Sequence, residues 1–100
     1  MKRIAFSMDS TVVAGKGQVW ADLDGEAVIL GLKNGVYYGL NEVGARIWSF
    51  ISQPKRVGEI CDFLLGQYEL DAGRCRRDVL ALLEQLAAEG LLEIRDGSPA

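Results

Sequence analysis

Residues 19–23, 26–32 and 36–40 form three short runs rich in apolar and aromatic side chains, separated by Asp24-Gly25 and Asn34-Gly35. Short runs of this kind bounded by turn residues mark strands, and Asp-Gly and Asn-Gly supply the positive φ angles of tight hairpin turns. The three runs therefore predict an antiparallel meander. With both turns two residues long, Leu23 faces Glu26 and Lys33 faces Val36, which puts Trp20, Ile29 and Leu40 in one cross-strand row and Gly31 opposite Tyr38. That row is the expected core side. The other face, with Val28, Leu30, Leu32 and Tyr37, is also apolar and wants cover. Tyr37 and Tyr38 project to opposite faces, so one packs inward while the other lines an accessible surface; for Tyr37 the pattern leaves burial and exposure open. The middle run is saturated on both sides, whereas the run 36–40 keeps one row of backbone groups free and is an edge.

Beyond residue 40 the apolar spacing changes to that of helices. Asn41 is a good N-cap for a helix from Glu42 to about Ser52, with Val43, Ile47, Trp48 and Ile51 as its apolar stripe and Gln53-Pro54 at its exit. Trp48, like Trp20, is read as a core aromatic. A second helix is expected over residues 57–68, with Val57, Ile60, Cys61, Leu64 and Tyr68 on one face. Asp71 caps a third over residues 72–89, whose inward row is Cys75, Val79, Leu82, Leu83 and Leu86 and which Gly90 ends in the left-handed conformation. Leu91, Leu92 and Ile94 resume as a short strand or wing, and residues 95–100 read as a frayed tail. The first fifteen or so residues, with Val12-Val13 as their only compact apolar step, read as a loose arm that can become a short strand. The pattern as a whole predicts an α+β, winged helix-turn-helix-like fold: an N-terminal three-stranded antiparallel sheet, three helices and a short C-terminal strand or wing.

A chain of 100 residues has room for one modest core, so residues 1–100 are read as a single domain with its ordered part at about 19–94. No apolar run approaches the length of a membrane span and no signal-peptide block follows the start, which makes the cytoplasm the expected compartment. The net charge of −3 argues against a broad nucleic-acid surface.

Candidate chemistry is sparse. There is no histidine, and Cys61 and Cys75 each fall within an apolar stripe, where a thiol behaves as a small hydrophobe; they are expected to be free, with no metal site, no cofactor and no catalytic residues. Gly15-Lys16-Gly17 lacks the spacing of a phosphate loop and reads as a turn, and Asp22, Asp24 and Glu26 lack the closing ligands of a calcium loop and read as a solvated hairpin tip. Arg74, Arg76 and Arg77 cluster at the start of the third helix, where a winged-helix DNA reader presents its recognition residues, but Asp71 and Asp78 interrupt the cluster. The edge at 36–40 is the most informative feature, because an extended peptide can pair with it while alternate side chains enter pockets; cover by the N-terminal arm or a dimer contact is the competing reading.

The stretch Tyr37-Tyr38-Gly39-Leu40-Asn41-Glu42-Val43-Gly44-Ala45-Arg46-Ile47-Trp48 resembles the strand-to-helix junction of PqqD-like proteins, with its Leu-Asn-x-x-Gly-x-x-Ile-Trp pattern. Asp78-Val79, Leu82-Leu83, Leu86 and Gly90-Leu91-Leu92 look like the last helix of that family and its exit. The resemblance implies a recognition element for ribosomally made, modified peptides, most like the stand-alone leader-binding protein of lasso-peptide pathways. Its partners would be a precursor leader peptide, a leader-cleaving cysteine protease and an ATP-dependent macrocyclase. The close sibling is PqqD itself, a peptide chaperone for a radical enzyme of quinone-cofactor maturation. In the implied binding mode the leader pairs with Val36, Tyr37, Tyr38, Gly39 and Leu40 and lies against the third helix. There the expected contacts are Arg74, Arg77, Asp78 and Ala81; the flank with Arg76, Leu80 and Leu83 is the alternative. A winged-helix DNA-binding regulator is the rival from another class, and an enzyme ranks last.

Overall fold

The structure, a computed structural model, describes residues 7–33 and 35–95. In chain order it contains β1 (Thr11–Ala14), β2 (Gln18–Leu23), β3 (Glu26–Gly31), β4 (Tyr37–Leu40), α1 (Glu42–Phe50), β5 (Lys55–Arg56), α2 (Val57–Gln67), α3 (Ala72–Ala88) and β6 (Leu92–Arg95). The expected α+β, winged-helix-like plan is present, with two three-stranded antiparallel sheets in place of one: β2-β3-β4, and β5-β1-β6.

The Asp24-Gly25 turn forms as expected. Both residues have positive φ, 57° and 86°, the mark of a type I′ turn, and Leu23 pairs with Glu26. The Asp22 carboxylate accepts the Gly25 amide hydrogen at 3.0 Å, so this acidic side chain secures the hairpin tip. The second turn differs from expectation. Leu30 pairs with Tyr37 and Ile29 with Tyr38, and the Gly31 N–H donates to the Val36 carbonyl at 3.0 Å, so residues 32–35 make a four-residue loop. It closes where the Gly35 N–H donates to the Gly31 carbonyl, Gly35 taking φ 67°. Gly31 thus faces Val36, not Tyr38, and Leu40 pairs with Ala27, not Ile29. A shift of two residues leaves every side chain on its expected face, which is why alternation alone does not distinguish the two registers. Asn34 lies outside the described residues, as do residues 1–6 and 96–100.

The N-terminal arm is more than a loose segment. β1 is the central strand of the second sheet, pairing Thr11 with Arg56 and Arg95, and Val12 with Lys55 and Ile94; Val12 is fully buried. The two sheets and three helices enclose one core, in which Ile29, Trp48, Ile60, Leu64, Leu83 and Leu86 are among the largest buried side chains. Helix α1 packs against β3 and β4, and α2 against α3. Trp20 departs from expectation. It lies on the helix side of the sheet opposite Ile29, but on the margin strand, where it borders an open hollow with Arg46 and Phe50 of α1, and 46% of its surface is exposed. Leu82, expected in the inward row of α3, is half-buried.

The two tryptophans are expected to differ sharply on truncation. Trp48→Ala should cost about 3–5 kcal/mol of unfolding free energy, and Trp20→Ala about 1 kcal/mol or less. Val12→Ala should cost about 2 kcal/mol, confirming β1 as core. Urea titrations followed by far-UV circular dichroism measure all three.

Candidate functional site

The ladder between β3 and β4 decides which backbone groups of β4 are used internally. The Gly31–Val36 bond sets the hydrogen-bonded pairs at 31–36, 29–38 and 27–40, so Val36, Tyr38 and Leu40 turn their backbone groups toward β3. The N–H and C=O of Tyr37 and Gly39 point away from the sheet. Among the described residues β4 pairs with β3 alone. The edge expected from the sequence is therefore present, and its unused groups come from Tyr37 and Gly39.

Beside this edge runs a groove of about 650 Å³ between β4 and α3, reaching the start of α1 and the α2–α3 connection. Its apolar floor includes Leu40, Ile47, Leu64 and Val79, all buried. Its position follows from two local devices. Asn41, in extended conformation, accepts the Gly44 N–H on its side chain at 2.9 Å and starts α1 directly after β4. Asp71 does the same for the Arg74 N–H at 2.9 Å and starts α3. The Tyr38 hydroxyl donates to Gln85 Oε1 at 2.7 Å, joining β4 to α3 across the groove. Partial burial, and then the nearby Glu89 carboxylate, push the Tyr38 phenol above its usual range, so it stays a donor at neutral pH.

The candidate residues fall into groups. Tyr37 is 70% exposed on the outer face of the sheet, Tyr38 is half-buried on the inner face, and Val36 is partly exposed. A side chain at Gly39 would point to the outer face and meet no atom within 4 Å. On α3, Arg74 and Asp78 border the groove and form an exposed ion pair at 3.8 Å. Arg77 and Ala81 do not line it, nor do Arg76, Leu80 and Leu83 of the alternative flank. Sequence reasoning did not single out Cys75, Val79, Leu82 and Gln85 as groove residues. Leu82 and Gln85 continue the Asp78 line at helical spacing, and that stripe was the available signal.

Comparison with known proteins places the chain. The family model for coenzyme PQQ synthesis protein D (PqqD) matches residues 26–92, well over half of the sequence. The chain belongs to the PqqD family. Among solved structures this PqqD-family chain is similar to TbiB1 in complex with the TbiA(beta) leader peptide, with 38% identity over 88% of this chain and 99% of that one and a TM-score of 0.76. A lasso peptide synthetase B1 complexed with the leader peptide shares the fold at 24% identity, covering 82% of this chain and 96% of that one, TM-score 0.73. So does the stand-alone PqqD recognition element of Methylobacterium extorquens, at 21% identity, covering 93% and 99%, TM-score 0.77. No curated protein matches the chain.

The two thiols are free and buried, as expected from the sequence. Burial, and then the neighbouring Cys75, push Cys61 up to about 11, and burial also raises Cys75, which borders the groove floor. A raised folded-state value favours the neutral thiol, so this contribution to stability is complete below about pH 9 and is lost as pH rises toward 11. At pH 8 neither thiol should react promptly with a disulfide reagent until denaturant is added, when both should titrate. The urea midpoint should fall between pH 9 and 11.

Proposed function

We propose that this protein is a non-catalytic recognition element that captures the leader segment of a ribosomally made precursor peptide. The leader adds as a further strand along β4, laying alternate side chains into the groove against α3. It is then presented to a separate leader-cleaving cysteine protease and an ATP-dependent ring-closing enzyme of a lasso-peptide pathway in the cytoplasm. One observation carries the reading: the N–H and C=O of Tyr37 and Gly39 point outward along β4, and Gly39 lines a groove with an apolar floor between β4 and α3. The likeness to TbiB1, whose structure holds a leader peptide, supports it, and at 38% identity it exceeds the 21% shared with the Methylobacterium PqqD.

The proposed action is positional. Holding the leader raises the effective concentration of precursor at a processing enzyme without bond chemistry in this chain. Arg74 and Asp78 at the rim pair with each other and are solvated, so they contribute orientation more than affinity. Backbone pairing and apolar anchors supply most of the binding, at roughly 0.5–1.5 kcal/mol net per hydrogen bond and roughly 1.5–3 kcal/mol per buried anchor before ordering costs.

Fluorescence anisotropy with the leader of the precursor encoded beside this protein is expected to show saturable binding at micromolar concentration or tighter. Gly39→Pro removes an outward donor that β3 does not use, and should weaken binding about tenfold or more. Gly39→Ala keeps the donor and should bind like the parent. Leader peptides N-methylated at alternate residues test the same ladder with the protein unaltered, and one alternation should bind poorly while the other is tolerated. Equal affinity for Gly39→Pro and both methylated series would rule out strand addition, and absence of saturable binding by folded protein would rule out leader capture.

A further inference from the structure

The groove has two unlike ends, each marked by a hydroxyl contact. At one end the Tyr38 hydroxyl reaches Gln85 in the last turn of α3. At the other the Tyr68 hydroxyl donates to the Glu42 carboxylate at 3.3 Å, joining the end of α2 to the start of α1. β4 runs from the first end to the second, opposite in sense to α3. The second end, just beyond Leu40, is bordered by Glu69, Leu70, Asp71, Arg74 and Asp78. Three carboxylates meet one guanidinium there, and Arg74, the only cation among the lining residues, already pairs with Asp78 at 3.8 Å. The N-terminus of α3 adds about half a positive charge, which Asp71 takes up by accepting the Arg74 N–H at 2.9 Å. Glu69 is exposed and has no such tie among the described residues. Between Glu69 and Asp71, Leu70 is 44% exposed, an apolar step flanked by carboxylates.

We infer that this end of the groove selects a basic side chain of the leader: a lysine or arginine whose stem lies on Leu70 and whose charged head reaches Glu69. The inference rests on leader capture along β4 and names the chemistry read there. A guest residue bonded to the outward groups of Tyr37 or Gly39 turns its side chain to the outer face with them, so the groove-facing guest positions lie opposite Tyr38 and Leu40. Those two positions stand over the apolar floor. The next groove-facing position, two residues and about 7 Å further on, passes the end of β4 and meets the acidic rim. Lysine and arginine suit both parts of that rim, because their stems bury on apolar surface while the head stays in water. An acidic leader residue at the same place would meet negative charge that Arg74, already paired, does not offset. The net charge of −3 on the whole chain favours the approach of a basic segment in the same sense.

Fluorescence anisotropy tests the inference, using the leader encoded beside this protein and copies in which each lysine or arginine of the stretch that pairs with β4 is replaced singly by glutamate. One replacement should weaken binding about tenfold. Glu69→Lys should weaken the parent leader by a similar factor and restore tight binding of that one substituted leader. Arg74→Gln, which frees Asp78, should tighten the parent leader about twofold. Both side chains are exposed, and circular dichroism confirms that the variants fold. Equal affinity for every substituted leader overturns the inference and leaves leader capture standing. So does a loss that Glu69→Lys fails to reverse, weaker binding by Arg74→Gln, or a tightly bound leader with no basic residue in that stretch. Absence of saturable binding by the folded parent chain overturns leader capture and this inference together.

Discussion

Everything in this fold that bears on recognition depends on β4 being held from one side only. Its inner partner is β3, and its C-terminal end is fixed by Leu40, buried against α1, and by Asn41, whose side chain opens that helix. With those groups committed, the alternate backbone groups at Tyr37 and Gly39 have no partner within the sheet. Exposed N–H and C=O groups cost little while water satisfies them, so the margin is stable alone and still competent to exchange water for another chain. A longer meander would have consumed it.

The second sheet shows how the remainder of the chain supports that margin. β1 bridges β5 and β6 and carries Val12 into the core, tying the N-terminal segment to the exits of both α1 and α3. The third helix is thereby fixed at its C-terminal end by β6 and at its start by the Asp71 cap. The Tyr38–Gln85 hydrogen bond then spans from β4 to the last turn of that helix. The groove is thus bounded by two elements whose separation is set by covalent neighbours and by the core, not by the groove itself.

Much of this was legible in the residues, for reasons that differ by element. Asp24-Gly25, Asn41, Asp71 and Gly90 act through local chemistry, so their turns and caps sit where the sequence puts them. The helices follow from three- and four-residue spacing, and the edge from the meander order. β1 was hard to read because four residues give little alternation and its partners lie some forty and eighty positions away. Trp20 was misjudged because alternation reports a side of a sheet and says nothing about how completely a margin strand is covered on that side. The groove flank depended on the rotation of α3 relative to β4, a tertiary quantity that periodicity does not contain; Arg74 and Asp78 border it, whereas Arg77 and Ala81 do not.

The spacing of four residues between Gly31 and Val36 has a consequence for how the margin is aligned with the groove. Pairing β4 two residues further along β3 would preserve which side chains face the core. Yet it would displace β4 by about 7 Å, two residues of strand rise, and draw Leu40 and Asn41 away from the start of α1. A connection that lines no groove thus acts as a vernier, setting the backbone margin against the helix beside it.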